Sequence, residues 1–232
     1  MMAHAMEAIR DIQTFAAAGY RAGVVEKNSW GRQSELYDAV TRSHSNDKFE
    51  IFSPRQTHSA EIILVDQRSS IRNPVADGLM CQSSGICLTV RTADCVPILF
   101  ADTSIGLCGA VHAGWRGMTS GIIEEMFSLA GKLRSIPENL LVYLGPSIGA
   151  CCFEVGDEVC ALIDDEYVIN RSGRNYVDLS NAIRNKVLKF GVNESNVLVS
   201  GDCTFCGKER FYSYRRDGDA PIQMVSYIFR SR

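Results

Sequence analysis

The sequence predicts an α+β domain in which strands outnumber helices. Three segments near the end of the chain, NVLVSGDCT, RFYSYRR and IQMVSYIF, have the composition of strands and do not alternate with helices as a parallel βαβ fold requires. The 232 residues are 46% hydrophobic and 22% charged, which is typical of a globular domain. No repeat and no Pro/Gly/Ser-rich linker marks a boundary, so we expect one domain over residues 1–232.

The centre of the chain predicts two buried strands, then a strand that leads into a helix. ICLTVRTADCVPILFAD is rich in β-branched residues and is interrupted at Ala93 to Pro97, so Asp94 and Cys95 are expected at a break between strands. GLCGAVHAGWRG places His112 at the end of the next strand, and TSGIIEEMFSLAGKLRS has helical apolar spacing. His112 is therefore expected at a strand-to-helix turn.

The following segment predicts one strand and two helices. LLVYLGPSIG has the pattern of a strand that runs into a loop, and EVGDEVCALID has that of a short helix. DLSNAIRNKVLKFG predicts a longer amphipathic helix that is capped by Asp178 or Ser180 and ends at Gly191.

Charge and hydropathy argue against two classes of partner. The formal net charge is −3, whereas a general nucleic-acid binder needs a clustered basic surface. Glu7, Arg10 and Asp11 lie where a signal peptide needs an unbroken apolar region, and no later run is long enough to span a bilayer. We therefore expect a cytoplasmic monomer or homodimer that binds neither nucleic acid nor membrane.

Four histidines are available for chemistry. His4 and His44 have terminal or polar surroundings, where a solvated side chain is expected. His58 precedes an apolar strand, His112 ends another and Cys95 interrupts a third. Two imidazoles and one thiolate suit zinc, which prefers tetrahedral nitrogen and sulfur ligands. The three residues are far apart in sequence, so spacing alone favours hydrogen-bonded histidines and a buried cysteine.

The nine cysteines are scattered and odd in number, which indicates reduced thiols rather than a disulfide framework. Cys203 and Cys206 have the spacing of half a zinc site or a redox pair. No second CxxC completes a four-cysteine site, which favours a structural role or an accidental thiol pair. Cys151 and Cys152 are adjacent, and neighbours in a strand point to opposite faces, so we do not expect both to bind one metal.

Five segments resemble a known family. QTHSAEIILVD, ADGLMCQSSGICLTVRTADCVPILFAD, GAVHAGWRG, LGPSIGACCFEVG and SYRRDG follow the order of the signature blocks of the YfiH-like family, also called laccase-domain or polyphenol-oxidase proteins. The resemblance implies two packed mixed β-sheets flanked by helices, in a four-layer αββα fold. It also implies one zinc ion bound by His58, Cys95 and His112.

The resemblance further implies a zinc-dependent purine nucleoside phosphorylase. Its substrates would be phosphate with adenosine, inosine, guanosine or methylthioadenosine, and it would also deaminate adenosine. One alternative is a cytoplasmic hydrolase that edits peptidoglycan precursors, with Cys95 as nucleophile and His112 as base. Another is a non-catalytic binding protein stabilised by zinc. Four histidines are too few for a multicopper oxidase, so copper binding at this site would be adventitious.

The residues expected to be catalytic are Cys95, His112, Asp94 and Arg116. Asp94 either orients a ligand imidazole or relays a proton, or else caps the turn. Arg116, directly after HAGW, is the first candidate for a phosphate contact. The second candidate is Arg215 or its neighbour Arg216, and a structural ion pair is an equally good interpretation for each arginine.

Three further residues have two interpretations each. Asp77, like Asp94, either orients a ligand imidazole or relays a proton, or else caps a turn. The turn is favoured because Asp-Gly is a strong turn signal. Trp115 and Phe153 are suited to stacking on a nucleobase, although a buried aromatic is the commoner role. After SYRRDG the family's Thr-Gly-Arg string is absent here, which implies the loss of an anion contact.

Overall fold

The computed structural model describes residues 9–28, 30–218 and 222–230. His4, expected to be solvated, lies outside these residues. Within the described part of the chain, no helix is long and apolar enough to cross a membrane.

A five-stranded sheet is antiparallel except at one edge, where the last two strands pair in parallel. Its strands, in spatial order, are β1 (Ile9–Asp11), β2 (Tyr20–Val25), β14 (Met224–Arg230), β6 (Ile86–Thr92) and β3 (Glu50–Phe52).

A six-stranded sheet is antiparallel at its centre and parallel at both edges. Its strands are β13 (Val197–Val199), β9 (Leu140–Leu144), β7 (Val96–Asp102), β8 (Leu107–Ala113), β5 (Gly78–Cys81) and β4 (Ile62–Leu64). A small antiparallel sheet consists of β10 (Glu154–Val155), β12 (Arg174–Val177) and β11 (Val168–Arg171).

Short helices flank these sheets. They are α1 (Gln13–Ala17), α2 (Gln33–Ser43), α3 (Trp115–Thr119), α4 (Ile122–Lys132), α5 (Asp157–Cys160), α6 (Leu179–Lys189) and α7 (Tyr214–Asp217).

The two large sheets pack face to face between layers of helices. On β7, Leu99 lies in the core between the sheets, while its neighbours Ile98 and Phe100 lie in the core that contains α4 and α6. On β14, Ile228 belongs to the core between the sheets, and Tyr227 packs in the cluster with α2. Successive side chains of a strand point to opposite faces, so both faces of each sheet are covered. The expected α+β fold, with layers αββα, is confirmed.

Several predicted elements occur where the sequence placed them. The break between β6 and β7 covers residues 93–95, and His112 lies one residue before the end of β8. The Asp178 side chain caps α6 by accepting a hydrogen bond from the Asn181 N–H (3.0 Å). Gly191 follows that helix with a positive φ of 101°.

One local prediction was correct in type but too long, and another was wrong. Within TSGIIEEMFSLAGKLRS the helix α4 covers Ile122–Lys132, and Gly121, with a φ of +94°, separates it from α3. RFYSYRR is not a strand. Its second half forms α7, since the Ser213 side chain accepts a hydrogen bond from the Arg216 N–H (3.2 Å) and so favours a helical turn.

His44 is half-buried rather than solvated. It ends α2 where that helix packs on β14, and its Nε2 lies 2.9 Å from the Tyr227 hydroxyl. Its ring also contacts Phe229 edge-on at 5.1 Å between centroids. The polar sequence around His44 gave no sign of this long-range packing.

The assumption of a strand at Cys151 and Cys152 was also wrong. These residues lie in a turn, and both sulfurs approach Cys206 Sγ, at 3.7 and 3.4 Å. The alternation rule for strands therefore does not separate them.

Candidate metal centre

His58, Cys95 and His112 meet at one end of the six-stranded sheet, as the sequence analysis expected. His112 is buried near the end of β8, Cys95 lies in the connection from β6 to β7, and exposed His58 lies in the loop before β4. One potential ligand atom from each lies within 4.8 Å of the others. Cys95 Sγ is 3.9 Å from His58 Nε2.

The register of two strands explains how Cys95 reaches His112. In the β7–β8 pair, Val96 lies opposite Ala113, so Cys95 extends towards Gly114. A Cβ atom at Gly114 would lie 2.8 Å from Cys95 Sγ and 3.3 Å from His58 Cδ2. Only glycine therefore allows the backbone to approach this closely.

Asp77 holds the two histidines in place. Its carboxylate is fully buried and lies 2.8 Å from His112 Nδ1. It also accepts hydrogen bonds from the backbone N–H groups of Thr57 (3.1 Å), His58 (3.0 Å) and Ser59 (2.7 Å). His58 has a positive φ of 60°, a conformation that this cradle of hydrogen bonds stabilises. The favoured interpretation of Asp77 as a turn residue was therefore wrong.

The same contacts keep Asp77 ionised. Burial alone would raise its pKa, but the hydrogen bonds from His112, Ser59 and Thr57 outweigh burial and hold the pKa well below its usual range. An ionised carboxylate only accepts hydrogen bonds, so His112 Nδ1 must donate. His112 Nε2 is then left to face Cys95.

Cys95 and His112 influence each other's protonation. Burial would raise the pKa of Cys95, but the charge and hydrogen bond of His112, with a hydrogen bond from His58, lower it. Burial would lower the pKa of His112, but Cys95 and the hydrogen bond with Asp77 raise it. The metal-free site thus favours a thiolate beside an imidazolium.

This set of donors fits a transition-metal ion. Two imidazoles and a readily ionised thiol converge, and a carboxylate fixes the outer nitrogen of one imidazole, as is common around protein-bound metals. Among the described residues, no further His, Cys, Asp or Glu joins this group. The arrangement leaves space for a ligand from solution.

A cavity of about 550 Å³ opens beside the three residues. Arg116, Arg215, Trp115, Tyr214 and Phe153 contribute to its wall. The cavity therefore combines a metal-type centre, aromatic surfaces and guanidinium groups, and it suits a small aromatic anion or an aromatic ligand together with an anion.

Asp94 lies in the wall of this cavity, and among the described residues it makes no hydrogen bond to a histidine. Its carboxylate accepts hydrogen bonds from the Thr204 hydroxyl (2.6 Å) and the Arg215 N–H (2.7 Å), and its carbonyl accepts one from the Ile148 N–H (2.9 Å). The alternative in which Asp94 orients an imidazole is therefore wrong. Asp94 therefore links three loops around the cavity through hydrogen bonds.

The three candidate arginines differ in how far their guanidinium groups are already bound by other protein groups. Within the described part of the chain, no carboxylate pairs with Arg116, whose guanidinium lies over the Trp115 ring at 4.4 Å. Arg215 donates to the Glu154 carbonyl (2.7 Å). Arg216 donates to the Thr204, Phe205 and Phe211 carbonyls and pairs with Asp217. Arg216 is thus structural, while Arg116 is free to meet a ligand.

Gln56 and Arg91 lie in the cavity wall and were not singled out by the sequence analysis. Gln56 pairs with the backbone of Arg91, donating to its carbonyl (2.7 Å) and accepting from its N–H (2.9 Å). Arg91 Nε is buried and has no hydrogen-bond partner in the described protein. An arginine inside the apolar strand ICLTVRT was the available signal, since such a charge is rarely buried without a partner.

Comparison with known proteins agrees with the family resemblance found in the sequence. A family model described as "Multi-copper polyphenol oxidoreductase laccase" matches residues 32–231. A Bacillus licheniformis structure described as hypothetical protein YfiH superposes with a TM-score of 0.85, covering 96% of each chain at 25% identity.

Two curated relatives carry enzyme names. A purine nucleoside phosphorylase of Xylella fastidiosa is 33% identical over 174 residues, which cover 70% of this chain and 66% of the relative, just under two thirds of its length. Adenosine deaminase RL5, from an unknown prokaryotic organism, is 32% identical over 200 residues, covering 79% of this chain and 76% of the relative.

Proposed function

The chain belongs to the family described as multi-copper polyphenol oxidoreductase laccase, and from that membership we propose that it is a cytoplasmic, zinc-dependent purine nucleoside phosphorylase. We further propose that it accepts adenosine, inosine, guanosine and methylthioadenosine, and that it deaminates adenosine. The names of the two curated relatives support the two activities.

One observation carries the proposal: the His58, Cys95 and His112 group opens directly onto the cavity that contains Arg116. A volume of about 550 Å³ lies within the usual range for small-molecule sites, about 300–1,000 Å³. A nucleoside needs an aromatic surface for its base, and phosphate needs a cationic partner. Both kinds of group lie in this wall.

Zinc is the metal that we propose. Two nitrogen ligands and one sulfur ligand with an open fourth position match a catalytic zinc site, and zinc supplies Lewis acidity towards a bound substrate atom. A multicopper oxidase would need many more histidines than the four in this sequence. The donor set therefore supports zinc in spite of the family's description.

In phosphorolysis, a phosphate oxygen forms a bond to the ribose anomeric carbon as the bond from that carbon to the base nitrogen breaks. The base leaves with the bonding electron pair and takes up a proton. We assign Arg116 to the phosphate, with the buried, unpartnered Nε of Arg91 as a second donor. Trp115 and Phe153 supply surfaces for the base.

Three of the residues expected to be catalytic take other roles in this proposal. Cys95 and His112 hold the metal. Asp94 acts as a positioning residue, because both of its carboxylate oxygens are used by Thr204 and Arg215. It keeps the cavity wall in place and does not touch the substrate.

A thiol hydrolase is the second candidate, and a specific geometry favours it. Cys95, His112 and Asp77 form a chain of side-chain contacts like that of a cysteine nucleophile, its base and an orienting carboxylate. Such an enzyme would act on an amide, for example in a peptidoglycan precursor, and would retain activity without metal. A non-catalytic protein is less consistent with the open cavity beside the centre.

The experiment that tests the proposal is incubation of the purified chain with adenosine, with and without phosphate, followed by separation of the products. A phosphorylase yields adenine and ribose 1-phosphate only when phosphate is present, and a deaminase yields inosine and ammonia. If neither set of products forms, the purine assignment is wrong, and the amide substrate is tested next.

A further inference from the structure

A second group of potential metal ligands lies outside the site described above. Two loops bring together the sulfur atoms of Cys151, Cys152, Cys203 and Cys206, all within 4.8 Å of one another. Cys206 Sγ is 3.7 Å from Cys151 Sγ and 3.4 Å from Cys152 Sγ. All four are free thiols.

Backbone contacts fix the two loops against each other. Ser147 and Cys203 form a parallel bridge, and the Thr204 N–H donates to the Ser147 carbonyl (2.9 Å). The Gly149 N–H donates to Cys203 Sγ (3.2 Å). These contacts join positions more than fifty residues apart, so the grouping of the thiols is a product of the fold and not of local sequence.

We propose that these four cysteines bind a structural zinc ion. A tetrahedral centre with zinc–sulfur bonds of about 2.3 Å places its sulfurs about 3.8 Å apart. The observed separations lie around that value, so small side-chain rotations suffice to complete the tetrahedron. Four sulfur donors in this geometry favour zinc or iron over harder cations.

The surroundings suit the charge of such a centre. Four thiols release four protons when they bind Zn²⁺, which leaves a net charge of −2. Hydrogen bonds to the sulfurs offset part of it, and the N–H groups of Gly149 and Cys206 both donate to Cys203. The Arg216 guanidinium lies nearby, bound to the Thr204 and Phe205 carbonyls (2.9 Å each). Backbone donors and a cation are the usual partners of zinc-bound thiolates.

The centre would also brace the cavity. Thr204 follows Cys203 directly and donates its hydroxyl to Asp94, the neighbour of Cys95. Phe153 follows Cys152 directly and lines the cavity. A zinc ion bound by the four cysteines would therefore stabilise the wall of the candidate active site without contacting a substrate.

The test is zinc content by elemental analysis of protein purified anaerobically in the presence of zinc. We expect about two zinc ions per chain, and about one in the double variant Cys203→Ser/Cys206→Ser. Cys160→Ser, at a half-buried thiol outside the group, is the matched control and should keep the wild-type content. Equal zinc contents in the double variant and the control would overturn the proposal.

A second variant keeps the test decisive if the double variant does not fold. His58→Ala/Cys95→Ser removes the first site and leaves the four cysteines intact. It should retain one zinc ion, and X-ray absorption should show four sulfur neighbours around it. No retained zinc, iron in its place, or a disulfide among these cysteines in the anaerobic protein would overturn the assignment.

Discussion

The buried carboxylate of Asp77 lies 2.8 Å from Nδ1 of His112 and determines which nitrogen of that ring can bind a metal. Its hydrogen bonds keep it ionised, so the proton of the neutral ring stays on Nδ1. Nε2 is then the nitrogen that can join His58 and Cys95. The same carboxylate also holds the loop that carries His58.

Asp77→Asn is expected to weaken zinc binding at the first site about 10- to 100-fold. The amide lacks the negative charge that favours a proton on Nδ1, and it cannot replace all the hydrogen bonds to the loop. Competition with a chromophoric chelator measures the affinity. Glu61→Gln, at an exposed carboxylate nearby, is the control. Unchanged affinity in Asp77→Asn would contradict this role.

Gly114→Ala is expected to disturb the first site while preserving the fold. The added methyl group would lie 2.8 Å from Cys95 Sγ, so Cys95 or His58 must move. We expect a loss of zinc from that site and a cost of about 1–3 kcal/mol in the free energy of unfolding. Urea unfolding and elemental analysis check both.

Gly131→Ala is its matched control. Gly131 lies within α4, and an added Cβ meets no atom within 4 Å. This variant should keep its zinc and gain about 0.5–1 kcal/mol, because alanine favours a helix interior. Similar zinc loss in both variants would show that the close approach at Gly114 is not the cause.

Arg116→Gln is expected to raise KM for phosphate while changing KM for adenosine little. Loss of a charged hydrogen bond of about 1.5–3 kcal/mol corresponds to a factor of roughly 10 to 150. Steady-state kinetics with each substrate varied in turn makes the measurement, and Arg68→Gln, at an exposed arginine, is the control. Equal effects on both Michaelis constants would assign Arg116 to general positioning instead.

His44 is expected to make stability depend on pH. Burial lowers its pKa below the ordinary histidine value of about 6.5, and the charges of Asp11 and Asp47 oppose this shift. The unfolded chain therefore binds the proton more tightly than the folded chain. Stability is greatest above about pH 6.5 and declines as pH falls from there to the lower pKa of the folded state.

The measurement is urea unfolding at several pH values between about 5 and 7.5, a range set by the histidine pKa. The free energy of unfolding should rise with pH in wild type, and the rise should be smaller in His44→Gln. The two proteins are compared by the slope of the free energy of unfolding against pH. Absolute stability is not compared, since the substitution also removes packing against Phe229. Identical slopes would contradict the assignment to His44.

Local patterns predicted much of the fold because each segment carries its own signal. The break before Val96 and the cap at Asp178 depend on neighbouring residues alone. RFYSYRR failed because its strand-like composition competes with a cap at Ser213. The helix predicted over TSGIIEEMFSLAGKLRS begins later than expected because Gly121 has a positive φ.

The site was predictable only in part. The resemblance assigned His58, Cys95 and His112, and the structure brings them together. The role of Asp77 and the grouping of the four cysteines depend on contacts between distant strands and loops. No local spacing encodes such contacts. Arg91, whose Nε atom is buried without a hydrogen-bond partner in the described protein, did leave a signal, a charge within an apolar strand.

The most direct test of the central claim is phosphate-dependent release of adenine before and after metal removal, with zinc then added back. Because a chelator also strips the four-cysteine group, His58→Ala is assayed in parallel with its zinc content. We predict that release falls at least tenfold on chelation and returns with zinc, and that His58→Ala is inactive although it still holds zinc. Undiminished turnover by metal-free wild-type protein would contradict the claim.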